Sequence, residues 1–286
     1  MIRFGYGTNG FTNHRLPDAL EVIADLGYAG VALTLDHHHL DPYADGLAPC
    51  VAKVADRLRT LGLAVVVETG ARYLLDPRRK HTPPLLHDDQ DTRLDFLRRA
   101  VAIAADLGAE AVSFWSGERP AHTEPSLAWN RLVDGCAQVL ETARRVGVPL
   151  GFEPEPGMLV ETIADWRALH QALGRPEGFG ITLDIGHCRC NEPDPVPACV
   201  TSVAEYLVNI QIDDMRRGTH EHLEFGEGEI DFPPVLRALD DAGYRGLVTV
   251  ELPRHAHAAP DVAARSTGFL HRAEQLSVLT AGVEAS

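Results

Sequence analysis

A helix-like stretch, a glycine near its end and then a short apolar run recur along this chain. The unit appears as Leu26-Gly27-Tyr-Ala-Gly-Val31, Leu61-Gly62-Leu-Ala-Val65, Leu107-Gly108-Ala-Glu-Ala-Val112, Val146-Gly147-Val-Pro-Leu150 and Ala242-Gly243-Tyr-Arg-Gly-Leu247. A glycine after a helix permits the left-handed cap that turns the chain back. Such short helix-to-strand links define βα units and a parallel sheet. The pattern predicts strands near 2–7, 30–35, 63–68, 111–115, 148–153, 180–185, 207–213 and 247–251. Helices are predicted near 16–26, 50–61, 91–107, 126–146, 163–174, 197–205, 232–242 and 260–279. About eight βα units in a chain of this length fit an α/β fold of one domain, a (β/α)8 TIM barrel over residues 1–280. Residues 281–286 are expected to form a flexible tail. The rival is a doubly wound open sheet. Against it, the first βα turn, Gly5-Tyr-Gly7-Thr-Asn-Gly10, is taken to lack the glycine order of a dinucleotide fingerprint.

Composition narrows the function. The chain has 286 residues, 45% of them hydrophobic, enough to bury a large core. Its net charge of −15 argues against nucleic acid as a partner, because such partners call for a basic patch. The basic residues are scattered apart from Arg78-Arg79-Lys80. Five cysteines are an odd number, so reduced thiols are expected rather than a disulfide framework. Cys188-Arg-Cys190 lacks the two-residue gap of common zinc sites. There is no charged leader with an apolar stretch and no apolar run near 20 residues, which leads to the expectation of a cytoplasmic protein without a membrane partner. A homo-oligomer is compatible with the sequence.

The chemistry is carried by four strand ends: Leu150-Gly-Phe-Glu153, Ile181-Thr-Leu-Asp184, Asn209-Ile-Gln211 and Val248-Thr-Val-Glu251. Alternate strand residues face opposite sides, so Glu153, Asp184, Gln211 and Glu251 share one parity. On four neighbouring parallel strands they would meet at one end of the sheet. Three carboxylates meeting there repel unless a cation joins them, and an all-oxygen donor set suits Mg²⁺ or Mn²⁺ more than Zn²⁺. Each residue also has an ordinary reading. Glu153 could cap a helix, and Glu155 shares its parity. Asp184 could simply hold His187 by a hydrogen bond. Glu251 could form a salt bridge within a barrel. Gln211 could be a core amide, with Asp213 or Asp214 ligating instead. Two long irregular stretches, near 69–90 and 213–231, follow strands and so belong to the catalytic face of a barrel.

Several motifs together resemble the xylose isomerase-like TIM-barrel superfamily of sugar phosphate isomerases and epimerases, over essentially the whole chain. They are Phe152-Glu-Pro-Glu155, Leu183-Asp-Ile-Gly-His187, Ile210-Gln-Ile-Asp-Asp214, Gly226-Glu-Gly-Glu-Ile-Asp231 and Val248-Thr-Val-Glu251. Members similar to the ketose 3-epimerases hold one divalent metal through Glu, Asp, His and Glu on strands five to eight. The resemblance implies Glu153, Asp184 and Glu251 as ligands, with Gln211 where a histidine is usual. It also implies His187 and Arg217 as substrate contacts, with Arg216 the second choice. The cofactor expected is one divalent metal, Mn²⁺ or Mg²⁺, with Co²⁺ or Zn²⁺ as alternatives.

The function expected is therefore a divalent-metal-dependent isomerase or epimerase, with a small carbohydrate or cyclitol as partner. Glu153 and Glu251 would move a proton through an enediolate. A dehydratase of polyol or cyclitol metabolism is the alternative. An endonuclease-type metal hydrolase is disfavoured, because no His set stands out on strands five to eight. A polyol-binding barrel without catalysis completes the alternatives. Trp115 could stack on a sugar ring or pack in the core. Glu68 and Arg72 could pair or grip substrate, and His220 with His222 could reach ligand from the loop after strand seven. One of His37-His38-His39 could line the site or all could be solvated. Arg78, Arg79, Lys80 and His81 could bind phosphate or form a solvated turn.

Overall fold

Each repeated unit folds as one strand and the helix that returns from it. A computed structural model describes the backbone of residues 1–284 and the side chains of residues 1–279. In chain order the strands are β1 (Arg3–Gly7), β2 (Gly30–Thr34), β3 (Ala64–Glu68), β4 (Val112–Trp115), β5 (Leu150–Glu153), β6 (Phe179–Asp184), β7 (Leu207–Ile212), β8 (Asp214–Arg216), β9 (Thr219–Leu223) and β10 (Leu247–Val250). Eight of them close a parallel barrel in the order β1-β10-β7-β6-β5-β4-β3-β2. Around it run α1 (Leu16–Asp25), α2 (Leu47–Leu61), α3 (Gln90–Leu107), α4 (Pro125–Val146), α5 (Ile163–Ala172), α6 (Ile185–Asn191), α7 (Val196–Ser202), α8 (Phe232–Asp241) and α9 (Ala259–Glu284). The glycines of the repeat do what their spacing predicts. Gly62, Gly108 and Gly147 end α2, α3 and α4 at φ 67°, 66° and 73°, and each amide bonds back into its helix.

The barrel has two apolar regions and a polar interior between them. Phe152, Ile181, Leu183, Ile210, Ile212, Val248 and Val250 join the large core that the helices cover. The other parity meets inside. Val66, Ala111 and Leu247 form a small apolar cluster of their own. Thr182 donates to Ser113 Oγ at 2.9 Å, and Thr249 to the Ile210 carbonyl at 3.0 Å. Glu153, Asp184 and Gln211 continue that parity to the C-terminal strand ends, and Glu251 follows β10 directly.

Three expectations change. Gly5, Gly7 and Gly10 do have the Gly-x-Gly-x-x-Gly spacing, so the reading that set them apart from it is corrected. The barrel, not the glycines, excludes the open sheet: β1 is paired on both sides, and Gly10 lies in a 3-10 turn (Thr8–Phe11) rather than opening a long helix. A Cβ on Gly5 would press on Thr249 Cγ2 at 2.8 Å, which is close strand packing. Second, the stretch near 213–231 contains an antiparallel hairpin, β8–β9, turning at Arg217-Gly218. Third, Asp184 runs directly into α6, a helix that the sequence pattern does not predict. Among the described residues no helix is long and apolar enough to cross a membrane. Of the expected tail, residues 281–284 continue α9, and 285–286 lie outside the described residues.

Candidate active site

A cavity of about 590 Å³ opens at the C-terminal ends of the barrel strands. Its floor is acidic. One carboxylate oxygen each from Glu153, Asp184 and Glu251 lie within 4.8 Å of one another. Two full negative charges at that separation repel by about 3 kcal/mol at an effective dielectric constant of about 20. Burial adds to the cost, as Glu153 and Asp184 are 3% and 1% exposed. The Glu153 carboxyl is accordingly held well above the usual range, first by burial and then by Glu155 and Glu251. Glu68 is raised likewise by burial and then by Glu251, although Asn209 Nδ2 donates to it at 3.2 Å. Glu155 is pushed up to about 8, by burial and then Glu251.

The residues present fit a cation. Gln211 Oε1 and Asp184 Oδ2 are buried acceptors without a hydrogen-bond partner. Such orphans are rare unless something else meets them. Gln211 is paired in register with Asp184, so its amide sits beside the acidic cluster. The other oxygens have assigned work. Asp184 Oδ1 accepts from the His187 amide at 2.9 Å and caps α6, and Asn9 Nδ2 donates to Glu251 Oε1 at 2.8 Å. The hydrogen bond expected between Asp184 and His187 is thus made to the His187 amide by one oxygen, and the other oxygen is left facing the acidic cluster. Gly186 lets α6 come this close, since a Cβ there would stand 1.9 Å from Asp213 Oδ1.

Above the floor lies a group of three histidines. The ring nitrogens of His187, His220 and His222 lie within 4.8 Å of one another. His220 and His222 are two apart on β9, so strand alternation sends both to the same face. His187 Nδ1 donates to the Pro154 carbonyl at 3.2 Å, which leaves Nε2 with its lone pair, 3.1 Å from His220 Nε2. His222 Nδ1 is bonded to the Asp213 carboxylate. Burial alone would lower His222; the Asp213 charge and hydrogen bond, with Glu251 and Asp184, outweigh it and raise it to about 10. His220 falls to about 3, through burial and then the neighbouring His187 and His222. The four barrel strands β5, β6, β7 and β10 carry no histidine, as expected from the sequence; the set is made instead by α6 and the β8–β9 hairpin. Two of its members come from a hairpin that strand parity could not anticipate.

The remaining predicted residues divide. Trp115, Glu68, His187, His220 and Gln211 line the cavity with Glu153 and Glu251. Asp184 is not among the residues that line the cavity; it lines a small recess with His187 and Cys188. Arg217 stands apart: it is exposed in the hairpin turn and bonded to the Glu192 carbonyl. Arg216 is likewise exposed and donates to the Glu227 carbonyl at 2.7 Å. The arginines that do line the cavity are Arg72 and Arg254. Arg72 donates across the mouth to the Asn9 carbonyl at 2.9 Å, and Arg254 pairs with Glu221. Lys80 and His81 reach the cavity, whereas Arg79 pairs with Asp76 at 2.9 Å. None of His37, His38 and His39 lines it. Asn9, Tyr73 and Arg254 carried no sequence signal; they arrive through long-range closure of the barrel and its loops.

Comparisons with known proteins bear on the family and the fold. The chain is similar to L-ribulose-5-phosphate 3-epimerase UlaE of Shigella flexneri, 26% identical over 203 residues, or 68% of this chain and 70% of that one. It is 28% identical to the rhizopine catabolism protein MocC of Rhizobium meliloti over 60% of this chain and 62% of that one. Among solved structures it resembles an L-ribulose 3-epimerase with a TM-score of 0.80 at 20% identity, covering 100% of this chain and 99% of the other. A D-allulose 3-epimerase from Methylomonas sp. in complex with D-allulose gives 0.75 at 18% identity, covering 95% and 96%. The family described as xylose isomerase-like TIM barrel matches residues 20–273. The chain belongs to that family.

Proposed function

We propose that the protein is an epimerase or isomerase of a small ketose or ketose phosphate. The observation that carries this reading is the convergence of Glu153 and Glu251, which line a cavity of sugar size, with the buried Asp184 beside them. The activities named for UlaE and the ketose 3-epimerase structures support the same class. Glu153, Asp184, Gln211 and Glu251 would hold one divalent cation, Mn²⁺ or Mg²⁺ by the hardness of four oxygen donors. Bound there, it would act as a Lewis acid toward the substrate carbonyl and offset the repulsion among the carboxylates.

The chain's own residues supply the proton chemistry. Glu153 ends β5 and Glu251 follows β10, with β6 and β7 between them in the barrel wall. A substrate carbon seated between them has a carboxylate base to each side. One takes the proton beside the carbonyl, giving an enediolate, and the other returns one. Return to the opposite face of that carbon is epimerisation; return to the neighbouring carbon is isomerisation. Asn9 holds one oxygen of Glu251 and leaves the other for this role. Trp115 offers an apolar face to the ring, and His187, His220 and Glu68 meet hydroxyls. Arg72, Lys80 and Arg254 give the mouth positive charge suited to a phosphate.

The test is a panel of ketoses and ketose phosphates, incubated with Mn²⁺-loaded protein and followed by product analysis. An epimer or aldose–ketose pair is expected, with one equivalent of metal that Asp184→Ala abolishes. A product lacking one water would move the assignment to a dehydratase. Tight binding of a polyol without turnover of any panel member would leave a binding barrel. The three histidines favour one second reading, a metal-assisted hydrolase, since His donors suit Zn²⁺. Phosphodiester cleavage by Zn²⁺-loaded protein, with no ketose turnover, would establish it.

A further inference from the structure

Arg93 sits in the first turn of α3 and is only 3% exposed, yet it makes no ion pair among the described residues. Its guanidinium donates to three backbone carbonyls: Nε to Pro83 at 2.9 Å, Nη1 to Thr69 at 3.2 Å and Nη2 to His81 at 2.9 Å. The rings of Trp115 and Phe96 lie 5.0 Å and 5.5 Å from its central carbon. Burial lowers its pKa to about 10, so it remains charged at neutral pH. Burying a cation without a counter-charge is expensive, and an apolar side chain would fill the space at less cost. What a planar fork of donors adds is the ability to tie several carbonyls at once.

The carbonyls it ties belong to one loop. Thr69 opens that loop directly after β3, and His81 and Pro83 close it. The backbone between needs holding. Ala71, Arg72 and His81 have φ of 56°, 35° and 61°, the left-handed region in which residues with a Cβ are strained. This loop also builds the cavity wall, giving it Gly70, Arg72, Tyr73, Lys80 and His81. Trp115, beside the guanidinium, lines the cavity as well.

We propose that Arg93 is a positioning residue for substrate binding, whose three carbonyl bonds fix residues 69–83 as a standing wall of the cavity rather than a lid. The kinetic part of this rests on the epimerase reading; the structural part does not.

The loop carries its own probe, because Arg78, Arg79 and Lys80 are exposed tryptic sites. In the wild-type chain, early trypsin cleavage should fall elsewhere. Arg93→Lys keeps the charge but loses the fork, and should speed cleavage after residues 78–80 about tenfold or more. Leu97→Ala, a core change on the same helix, controls for general destabilisation and should not do so. Preferred cleavage at 78–80 in the wild type would overturn the proposal without any variant. So would equal cleavage in Arg93→Lys and Leu97→Ala. With a ketose that the wild type turns over, Arg93→Lys should raise KM about tenfold while kcat changes less than about threefold. A fall in kcat with KM unchanged would overturn the positioning role. If the wild type turns over no ketose, the epimerase reading fails by itself, and the cleavage pattern still decides the clamp.

Discussion

The floor and the rim of the cavity are built by different means. The floor is a property of strands. Glu153, Asp184 and Gln211 share one parity on three neighbouring strands, and Glu251 extends the next. The rim is a property of loops: the Arg93-held segment, the β8–β9 hairpin and the 3-10 stretch that carries Arg254 (Pro253–Ala258). The floor gathers negative charge and the rim supplies Arg72, Lys80, Arg254 and three histidines. A rigid acidic base suits chemistry common to many sugars, while a loop-built rim can vary with the substrate.

The largest effect should separate floor from rim outright. Glu153→Gln and Glu251→Gln keep shape and an oxygen donor but remove a base. Each should lose about 10²-fold or more in kcat, with metal still bound. Retained turnover in both variants would take the chemistry away from the floor.

The next effect concerns stability. Glu155 has its pKa raised from 4.5 to about 8, chiefly by burial and then by Glu251. A raised folded-state pKa stabilises fully below about pH 4.5, and that stability is lost as pH rises through about 8. Metal-free protein should therefore lose stability over this window, by an amount on the order of a few kcal/mol. Glu155→Gln should flatten the loss in urea titrations at successive pH values. An unchanged slope would mean that Glu155 is ionised at little cost.

The smallest effect tests the rim. Lys80→Met should raise KM for a ketose phosphate several-fold more than for the neutral ketose, about the scale of one lost charged contact. Equal changes for both would return Lys80 to solvent and leave the mouth without phosphate preference.

The same division governs what the sequence disclosed. The barrel and the acidic floor follow from local facts: a glycine near the ends of α1 to α5 and α8, and strand alternation carrying Glu153, Asp184 and Gln211 inward. The rim was less legible. Arg217 looked placed to reach substrate, but the hairpin turn carries it outward, to the Glu192 carbonyl. Asn9 meets Glu251 across 242 positions of sequence, a contact made only when β1 and β10 close the barrel. His220 and His222 act together because they lie two apart on a strand, in a segment expected to be irregular. Arg93 did leave a trace. It lies on the apolar side of the predicted helix 91–107, in line with Phe96, Leu97 and Ala100. An arginine on such a face invites the question of which carbonyls it ties.

Turnover in D₂O asks most directly whether Glu153 and Glu251 move a proton to and from the carbon beside a substrate carbonyl. One solvent deuterium is expected on that carbon in the product, found by NMR or mass spectrometry. Of Glu153→Gln and Glu251→Gln, one variant should still exchange that position without completing the change of configuration. Product formed in D₂O without deuterium would contradict proton transfer by the two glutamates and point to transfer of a hydride between carbons instead.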